Sequence, residues 1–185
     1  MNKQELSLVQ ARLALLHALP LNWTGYAADM LTLGFGAQEE FRLHIQCSYR
    51  LASEEEILFD RLDYFAPSDA LTARWRAEGL TEDDFPGEWE DGDCRLFERI
   101  EALRSRLPEM RVEEAHVSLL GDVTLRFTNG LTLLALPMAS DGAECWRFWN
   151  DALWPDEHMV VCGDHVELSG PGERCCGICE GTVDN

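Results

Sequence analysis

The stretch around Asn129-Gly130 constrains the fold more tightly than any other part of the chain. The alternating segments "DVTLRF" and "LTLLAL" lie on either side of Thr128-Asn129-Gly130. Asn-Gly supplies the positive φ angles that a tight primed turn requires, so this pattern predicts an antiparallel β-hairpin. The strand "ECWRFW" and one or two strands in "EHMVVCGDHVEL" are expected to follow it.

The first half of the chain carries a similar pattern after an amphipathic helix. Apolar residues recur at three- and four-residue steps from Leu6 to Leu19, which predicts a helix that ends at or before Pro20 and covers a sheet. The segment "MLTLGFG" then alternates, and "FRLHIQCSYRL" at residues 41–51 is its expected antiparallel partner.

The two hairpin regions align with each other, which suggests an internal duplication. Residues 31–35 match 123–127, and Tyr49-Arg50-Leu51 matches Trp146-Arg147-Phe148. We therefore predict an α+β fold in which an antiparallel sheet of two similar hairpin-containing halves has helices packed on one side. A single domain of residues 1–185 is expected, with a first β half at about 20–64, an acidic helical insert at about 65–110, a second β half at about 111–170 and a Cys/Gly-rich tail at 171–185.

An aromatic residue followed by arginine ends a strand in both halves. A catalytic arginine has little reason to occur twice, so the interpretation we favour is structural: the ring packs into the core and the guanidinium pairs with a carboxylate at the rim. Asp60 and Asp164 follow the next apolar runs and are the expected partners of Arg50 and Arg147.

The charge of the chain limits its partners. The 185 residues are 46% hydrophobic, enough for a buried core, and carry a formal net charge of −19 with a pI of about 4.4. Such a surface repels nucleic-acid phosphates and anionic membranes and attracts cationic partners. A basic protein is the expected partner, and the sequence does not indicate an oligomeric state.

Two further features predict a cytoplasmic location. Polar residues, among them Arg12 and His17, interrupt the apolar N-terminal stretch, which therefore lacks the apolar core of a signal peptide. No segment reaches the roughly 20 apolar residues that a membrane-spanning helix needs.

The insert contains the most polarised segment of the chain. Residues 78–93 hold eight acidic residues and no basic one, between a helix expected from Ser68 or Asp69 to Gly79 and a second helix in "RLFERIEALRSRL". One interpretation is a solvated loop. The other is a patch in which aromatic anchors and carboxylates bind a basic partner. Its candidate residues are Asp83, Asp84, Glu88, Trp89, Glu90 and Asp91.

The C-terminal region offers a weak candidate for a metal site. Cys162-x2-His165 and Cys176-x2-Cys179 have the short spacing that lets two ligands reach one zinc ion, and zinc accepts a Cys3His set. An ordinary reduced tail and redox sensing by Cys175-Cys176 are the alternatives. No other cofactor is indicated, so the cofactor prediction is none, with zinc as the alternative.

Catalytic patterns are missing from the sequence. It contains no Gly-rich phosphate loop, no GxSxG elbow, no HExxH motif and no dinucleotide fingerprint, and its five histidines are scattered. His44 and Cys47 lie three positions apart, which in a strand places them on opposite faces. We therefore expect a protein that is not an enzyme.

Residues 31–51 and 117–148 resemble parts of small bacterial proteins, some of which are immunity proteins of polymorphic or contact-dependent toxin systems. The resemblance rests on "LHIQCSYRL", "LRFTNGLTLLALP" and "CWRFW". It implies a non-enzymatic inhibitor that binds a basic toxin, such as a nuclease, through an acidic surface. One alternative is an acidic nucleic-acid mimic or regulatory binder of a nucleic-acid enzyme. Another is a small zinc-binding protein that uses the C-terminal Cys/His cluster.

Overall fold

The fold is described from a computed structural model, for residues 1–81, 84, 93–155 and 157–169. These residues contain three α-helices and eleven β-strands, besides short 3-10 helices. The α-helices are α1 (Lys3–Leu13), α2 (Asp69–Glu78) and α3 (Arg95–Leu103). The strands are β1 (Leu21–Ala27), β2 (Met30–Phe35), β3 (Phe41–Ile45), β4 (Ser48–Ala52), β5 (Ile57–Asp60), β6 (Val112–Val117), β7 (Val123–Phe127), β8 (Thr132–Leu136), β9 (Glu144–Trp149), β10 (His158–Cys162) and β11 (Val166–Ser169).

The strands form two antiparallel sheets, which confirms the α+β class but gives two sheets where the sequence suggested one. The first has six strands in the order β1-β2-β3-β9-β10-β11. The second has five strands in the order β5-β4-β8-β7-β6. Buried apolar side chains from both sheets and from α1 and α3 form one core cluster.

The chain changes sheets inside the segment that was predicted as one strand. Residues 41–51 form β3, which pairs with β2 and β9, and β4, which pairs with β5 and β8. The N–H groups of Gln46 and Cys47 both donate to the carbonyl oxygen of Cys145, at 2.9 and 3.0 Å. Because Cys145 belongs to β9, these bonds hold the residues that connect the two sheets, Gln46 and Cys47, against the six-stranded sheet.

Corresponding strands occupy the same order in the two sheets. The sequence alignment matches β2 with β7, β3 with β8, β4 with β9 and β5 with β10. We also match β1 with β6. Replacing each strand of the order β1-β2-β3-β9-β10 by its counterpart gives β6-β7-β8-β4-β5, which is the order of the five-stranded sheet read from β6. The first half thus gives three strands to one sheet and two to the other, and the second half does the same apart from its additional strand β11. The internal duplication itself stays a prediction.

Helices α1 and α3 pack on different strands. Helix α1 contacts β6, whereas α3 contacts β1 and β5. Helix α2 begins and ends as predicted: the hydroxyl of Ser68 accepts from the N–H of Leu71 at 3.0 Å, and Gly79 ends it with a φ of 73°. None of the helices in the described ranges is long and apolar enough to cross a bilayer.

The predicted hairpin at Asn129-Gly130 is present as β7 and β8, but its turn is not a primed turn. Of the two turn residues only Gly130 has a positive φ, 81°. The N–H of Gly130 donates to the carbonyl oxygen of Phe127, and the N–H of Phe127 donates to that of Leu131, both at 2.9 Å. The loop therefore consists of the three residues Thr128, Asn129 and Gly130, and Gly130 adopts the left-handed backbone conformation.

The paired aromatic-Arg segments form part of the frame, although not through the expected carboxylates. The side chains of Tyr49 and Trp146 are buried, and the indole N–H of Trp146 donates to the carbonyl oxygen of Gly121 at 2.8 Å. Arg147 binds Glu144 through Nε at 2.6 Å and Nη2 at 2.5 Å. The predicted pairing of Arg147 with Asp164 is therefore wrong.

The predicted pairing of Arg50 with Asp60 is wrong as well. The two residues lie opposite each other in β4 and β5, yet no ion pair joins them in the described structure. The carboxylate of Asp60 instead accepts from the N–H groups of Leu62 and Asp63, at 2.7 and 3.3 Å, and so begins the following 3-10 helix.

Candidate functional site

The acidic patch predicted from the sequence falls almost entirely outside the described residues. This applies to Asp83, Glu88, Trp89, Glu90 and Asp91.

Asp84 is the one described member of that patch. Its carboxylate accepts from the N–H and the hydroxyl of Thr81, at 2.8 and 3.0 Å. These bonds hold the pKa of Asp84 below its usual value. Asp84 therefore carries a negative charge in an exposed turn directly after α2.

A groove lies between β1 and the helices on either side of the acidic segment. It encloses about 570 Å³, and we call it the β1 groove. Strand β1 is an edge of the six-stranded sheet, and the groove also contacts Ala70 of α2 and several residues of α3. Its aromatic and charged lining residues are Trp23, Tyr26, Phe97, Glu98, Glu101 and Arg104.

Aromatic rings supply a rigid wall to the β1 groove. A Cβ atom at Gly25 would lie 2.8 Å from the indole of Trp23, so the glycine leaves the space that this indole occupies. Tyr26 packs against Tyr64 and Phe97, with ring centroids 4.4 and 6.4 Å away. Burial and the neighbouring carboxylate of Asp29 raise the pKa of Tyr26 to about 12, so its hydroxyl stays protonated at neutral pH.

Carboxylates line the helical side of the β1 groove. Glu98 accepts from the N–H of Asp69 at 2.8 Å, which links α3 to the start of α2. Glu101 forms an exposed ion pair with Arg104, with N and O 2.9 Å apart. Aromatic anchors beside carboxylates are suited to binding a cationic segment of a protein.

A second group of polar residues lies on the face of the six-stranded sheet opposite the core. We call His44, Glu144, Arg147 and His158 the polar cluster. His44 lies directly opposite Arg147 in the register of β3 and β9, and Nη1 of Arg147 is 3.4 Å from Nδ1 of His158. The side chains of Glu144 and Arg147 are only 7% and 14% exposed, so their ion pair lies in a largely dry environment.

Burial and positive charge keep the histidines of the polar cluster neutral. Burial, followed by the guanidinium groups of Arg147 and Arg42, lowers the pKa of His44 to about 4. Burial and Arg147 also lower the pKa of His158. The ring of His44 meets Trp149 edge-on at 4.6 Å, and the ring of His158 stacks on the same indole at 4.4 Å.

The hairpin of β10 and β11 brings together three groups that can bind a metal ion. We call Cys162, His165 and Glu167 the hairpin trio. One donor atom from each lies within 4.8 Å of the others. Cys162 and His165 are the pair singled out by their spacing in the sequence, whereas Cys176 and Cys179 lie outside the described residues.

The other described cysteines are unsuited to nucleophilic chemistry. Burial raises the pKa of Cys47 to about 12 and also raises the pKa values of Cys94 and Cys145. These three thiols are free and stay protonated at neutral pH. They act as small apolar side chains, as predicted for Cys47 and Cys145.

Comparisons of the chain with protein-family models, with curated proteins and with solved structures each gave no match. The resemblance to immunity proteins therefore stays a prediction. A function can be argued only from the sequence and from the geometry of the sites described above.

Three parts of these sites were missed by reading the sequence. The β1 groove joins strand and helix residues more than 70 positions apart, as in Tyr26 and Phe97, and no local pattern links them. Glu144 lies three residues before Arg147 and is the acidic residue nearest to it in the sequence. This short spacing was the signal that could have identified the ion pair. Glu167 follows His165 by two residues, so both lie on one face of the hairpin.

Proposed function

We propose that this chain is a non-enzymatic, cytoplasmic immunity protein that binds and neutralises a basic bacterial toxin, such as a nuclease. Its net charge of −19 favours fast association with a basic protein and disfavours nucleic acid and anionic membranes as partners. Association that is steered by charge suits an inhibitor that has to reach its toxin before damage occurs.

The observation that carries the proposal is the β1 groove. It combines exposed aromatic surface from Trp23 with the carboxylates of Glu98 and Glu101. Aromatic anchors account for much of the affinity at protein interfaces, and carboxylates around them select lysine and arginine. The acidic segment at residues 82–92 connects α2 and α3, which both contribute to this groove, so the predicted acidic patch is continuous along the chain with the two helices that line the groove.

The test begins with affinity capture from a lysate of the organism that encodes the chain, with the full-length protein as bait. Capture is repeated at about 50 and about 500 mM salt, because exposed charges attract each other less as the Debye length falls. The dissociation constant of each captured protein is then measured with purified components. A variant that removes three charges of the acidic segment, E88Q/E90Q/D91N, tests whether that segment binds.

A matched variant controls for loss of charge alone. Glu54, Glu55 and Glu56 form an exposed acidic run in the turn between β4 and β5. The variant E54Q/E55Q/E56Q changes the net charge from −19 to −16, as does the variant in the acidic segment. A third variant, Trp23→Ala, removes the exposed aromatic ring of the β1 groove.

The proposal expects one basic protein to be retained at both salt concentrations and to be inhibited on binding. Its affinity should fall at least tenfold with E88Q/E90Q/D91N or with Trp23→Ala, and much less with the control, as expected for loss of an interface anchor. Many basic proteins that are all lost at high salt, with both charge variants equally weakened, would show only ion exchange by an acidic surface. A captured nucleic-acid enzyme that is not a toxin would instead support the nucleic-acid mimic.

A further inference from the structure

The backbone of the β10–β11 hairpin holds the trio of Cys162, His165 and Glu167 in a fixed arrangement. The pairing of β10 with β9 shifts register between Val161 and Cys162, and such a bulge changes the direction of the next side chain. The N–H of Cys162 donates to the carbonyl oxygen of His165 at 2.9 Å, which closes the turn between the two ligand residues.

The turn is also fixed from outside the hairpin. A Cβ atom at Gly163 would lie 2.5 Å from the carbonyl oxygens of both Ala139 and Asp141, so only glycine allows this close approach of the two loops. The N–H of Gly163 donates to the carbonyl oxygen of Ala143 at 3.1 Å. The hairpin turn is therefore packed against residues 139–143 and is not a free surface loop.

The imidazole of His165 lies between two carboxylates. Its Nδ1 atom is 2.5 Å from Oδ1 of Asp164, and its Nε2 atom is 2.7 Å from Oε1 of Glu167. Histidine ligands of metal ions commonly donate their second ring N–H to a carboxylate, which fixes the tautomer and the orientation of the ring. Asp164 occupies that supporting position and leaves Nε2 directed towards Glu167.

We propose that the hairpin trio binds a divalent transition-metal ion, with zinc as the best match, through Cys162 Sγ, His165 Nε2 and a carboxylate oxygen of Glu167. A donor set of one sulfur, one nitrogen and one oxygen atom is within the range that zinc accepts. On binding, the thiol of Cys162 and the imidazolium of His165 each release one proton to solvent, and three coordination bonds form. A fourth position stays open to water.

The distances are compatible with this coordination. Zinc bonds of about 2.0–2.3 Å in a tetrahedron place neighbouring donors about 3.3–3.8 Å apart. The donor atoms of the trio lie within 4.8 Å of one another, so an ion would have to draw the more distant donors together by at most about 1.5 Å. It would also have to separate His165 Nε2 from Glu167 Oε1, which are 2.7 Å apart, by about 0.6 Å. Rotation of exposed side chains such as those of His165 and Glu167 covers this distance.

This site differs from the Cys3His site that the sequence offered as a weak candidate, because Glu167 replaces the tail cysteines. It is also independent of the proposed inhibitor function, since none of its ligands belongs to the β1 groove. The decisive comparison is therefore between variants of the trio and a variant of the tail.

The experiment is a titration of the purified, metal-free, full-length chain with Co²⁺, followed by competition with Zn²⁺. Cobalt reports the ligands directly, because a thiolate bound to Co²⁺ gives a charge-transfer absorption in the near ultraviolet and tetrahedral Co²⁺ gives strong visible bands. The trio is tested by Cys162→Ser and His165→Gln. The matched control for the histidine is His116→Gln, which changes an exposed histidine of β6.

A tail variant, C175S/C176S/C179S, removes all sulfur after residue 169. The proposal expects this variant to bind one equivalent of Co²⁺ with the thiolate absorption intact, and Cys162→Ser to lose that absorption. His165→Gln should weaken binding at least a hundredfold, and Asp164→Asn about ten- to hundredfold, as found for carboxylates that orient histidine ligands. His116→Gln should bind like the unaltered chain.

Two results would overturn the proposal. One is loss of the cobalt absorption in the tail variant, which would assign the metal to the tail cysteines. The other is an unchanged spectrum and affinity in both Cys162→Ser and His165→Gln. Circular dichroism of each variant at neutral pH shows that it is folded, so that loss of binding is not read from an unfolded chain.

Discussion

Acidification tests the environment assigned to His44. Burial and the guanidinium groups nearby lower the pKa of His44 to about 4, from an ordinary value near 6.5. Because the folded pKa is depressed, the unfolded chain takes up this proton first as the pH falls. The contribution of His44 to stability is therefore complete above pH 6.5 and is lost progressively as the pH falls towards about 4.

The size of the effect follows from the shift in pKa. Each unit is worth about 1.4 kcal/mol, so the full difference is about 3 kcal/mol, and about 2 kcal/mol of it lies between pH 7 and 4.5. The free energy of unfolding is measured by urea denaturation across this range for the unaltered chain and for His44→Gln. Every other titrating group is common to both proteins, so the difference between the two curves isolates His44.

We expect His44→Gln to become more stable relative to the unaltered chain by about 2 kcal/mol as the pH falls from about 7 to about 4.5. The same substitution at the exposed His116 is the matched control for removing a histidine. A difference between His44→Gln and the unaltered chain that stays constant within about 0.5 kcal/mol across the range would refute the depressed pKa and the burial that causes it.

Two substitutions test the frame. Glu144→Gln should cost about 3 kcal/mol in urea denaturation, because it replaces the carboxylate that binds the largely buried guanidinium of Arg147 with a neutral amide. Glu114→Gln, which breaks the exposed pair with Arg126, should cost less than about 1 kcal/mol, and equal costs would contradict the burial of the first pair. Gly130→Ala should lower the free energy of unfolding by about 1 kcal/mol, because alanine is strained at a φ of 81°. No atom lies within 4 Å of the added Cβ, so no steric clash contributes. An unchanged midpoint of urea denaturation would contradict the left-handed conformation of Gly130.

Local patterns in the sequence predicted the elements better than their arrangement. Alternation and turn residues identified β2, β3, β7 and β8, because these signals lie within a few residues of one another. The division into two sheets was missed because the alternation in residues 41–51 continues almost unbroken across Gln46 and Cys47. Which strand pairs with which is decided by contacts between distant parts of the chain, as in the bonds of both residues to Cys145.

The same limit applies to the candidate sites. Cys162 and His165 were found because their spacing within one hairpin is itself a signal. The partner of Arg147 was missed because Asp164 was chosen by analogy between the two halves, whereas the bulged register of β9 and β10 places Glu144 closer. The β1 groove left no local signal, since it exists only when α3 packs on β1.

The order of the six-stranded sheet separates the two proposed sites. The β1 groove lies at one edge, and the metal-binding hairpin ends in β11 at the other. Neighbouring strands are about 4.8 Å apart, so the five steps from β1 to β11 span about 24 Å. This distance is about three Debye lengths at physiological salt, which are about 8 Å each. A divalent ion that replaces two protons leaves the net charge of the hairpin unchanged, and the local rearrangement of charge is largely screened at the groove, so partner affinity and metal affinity should be separable properties of the same sheet.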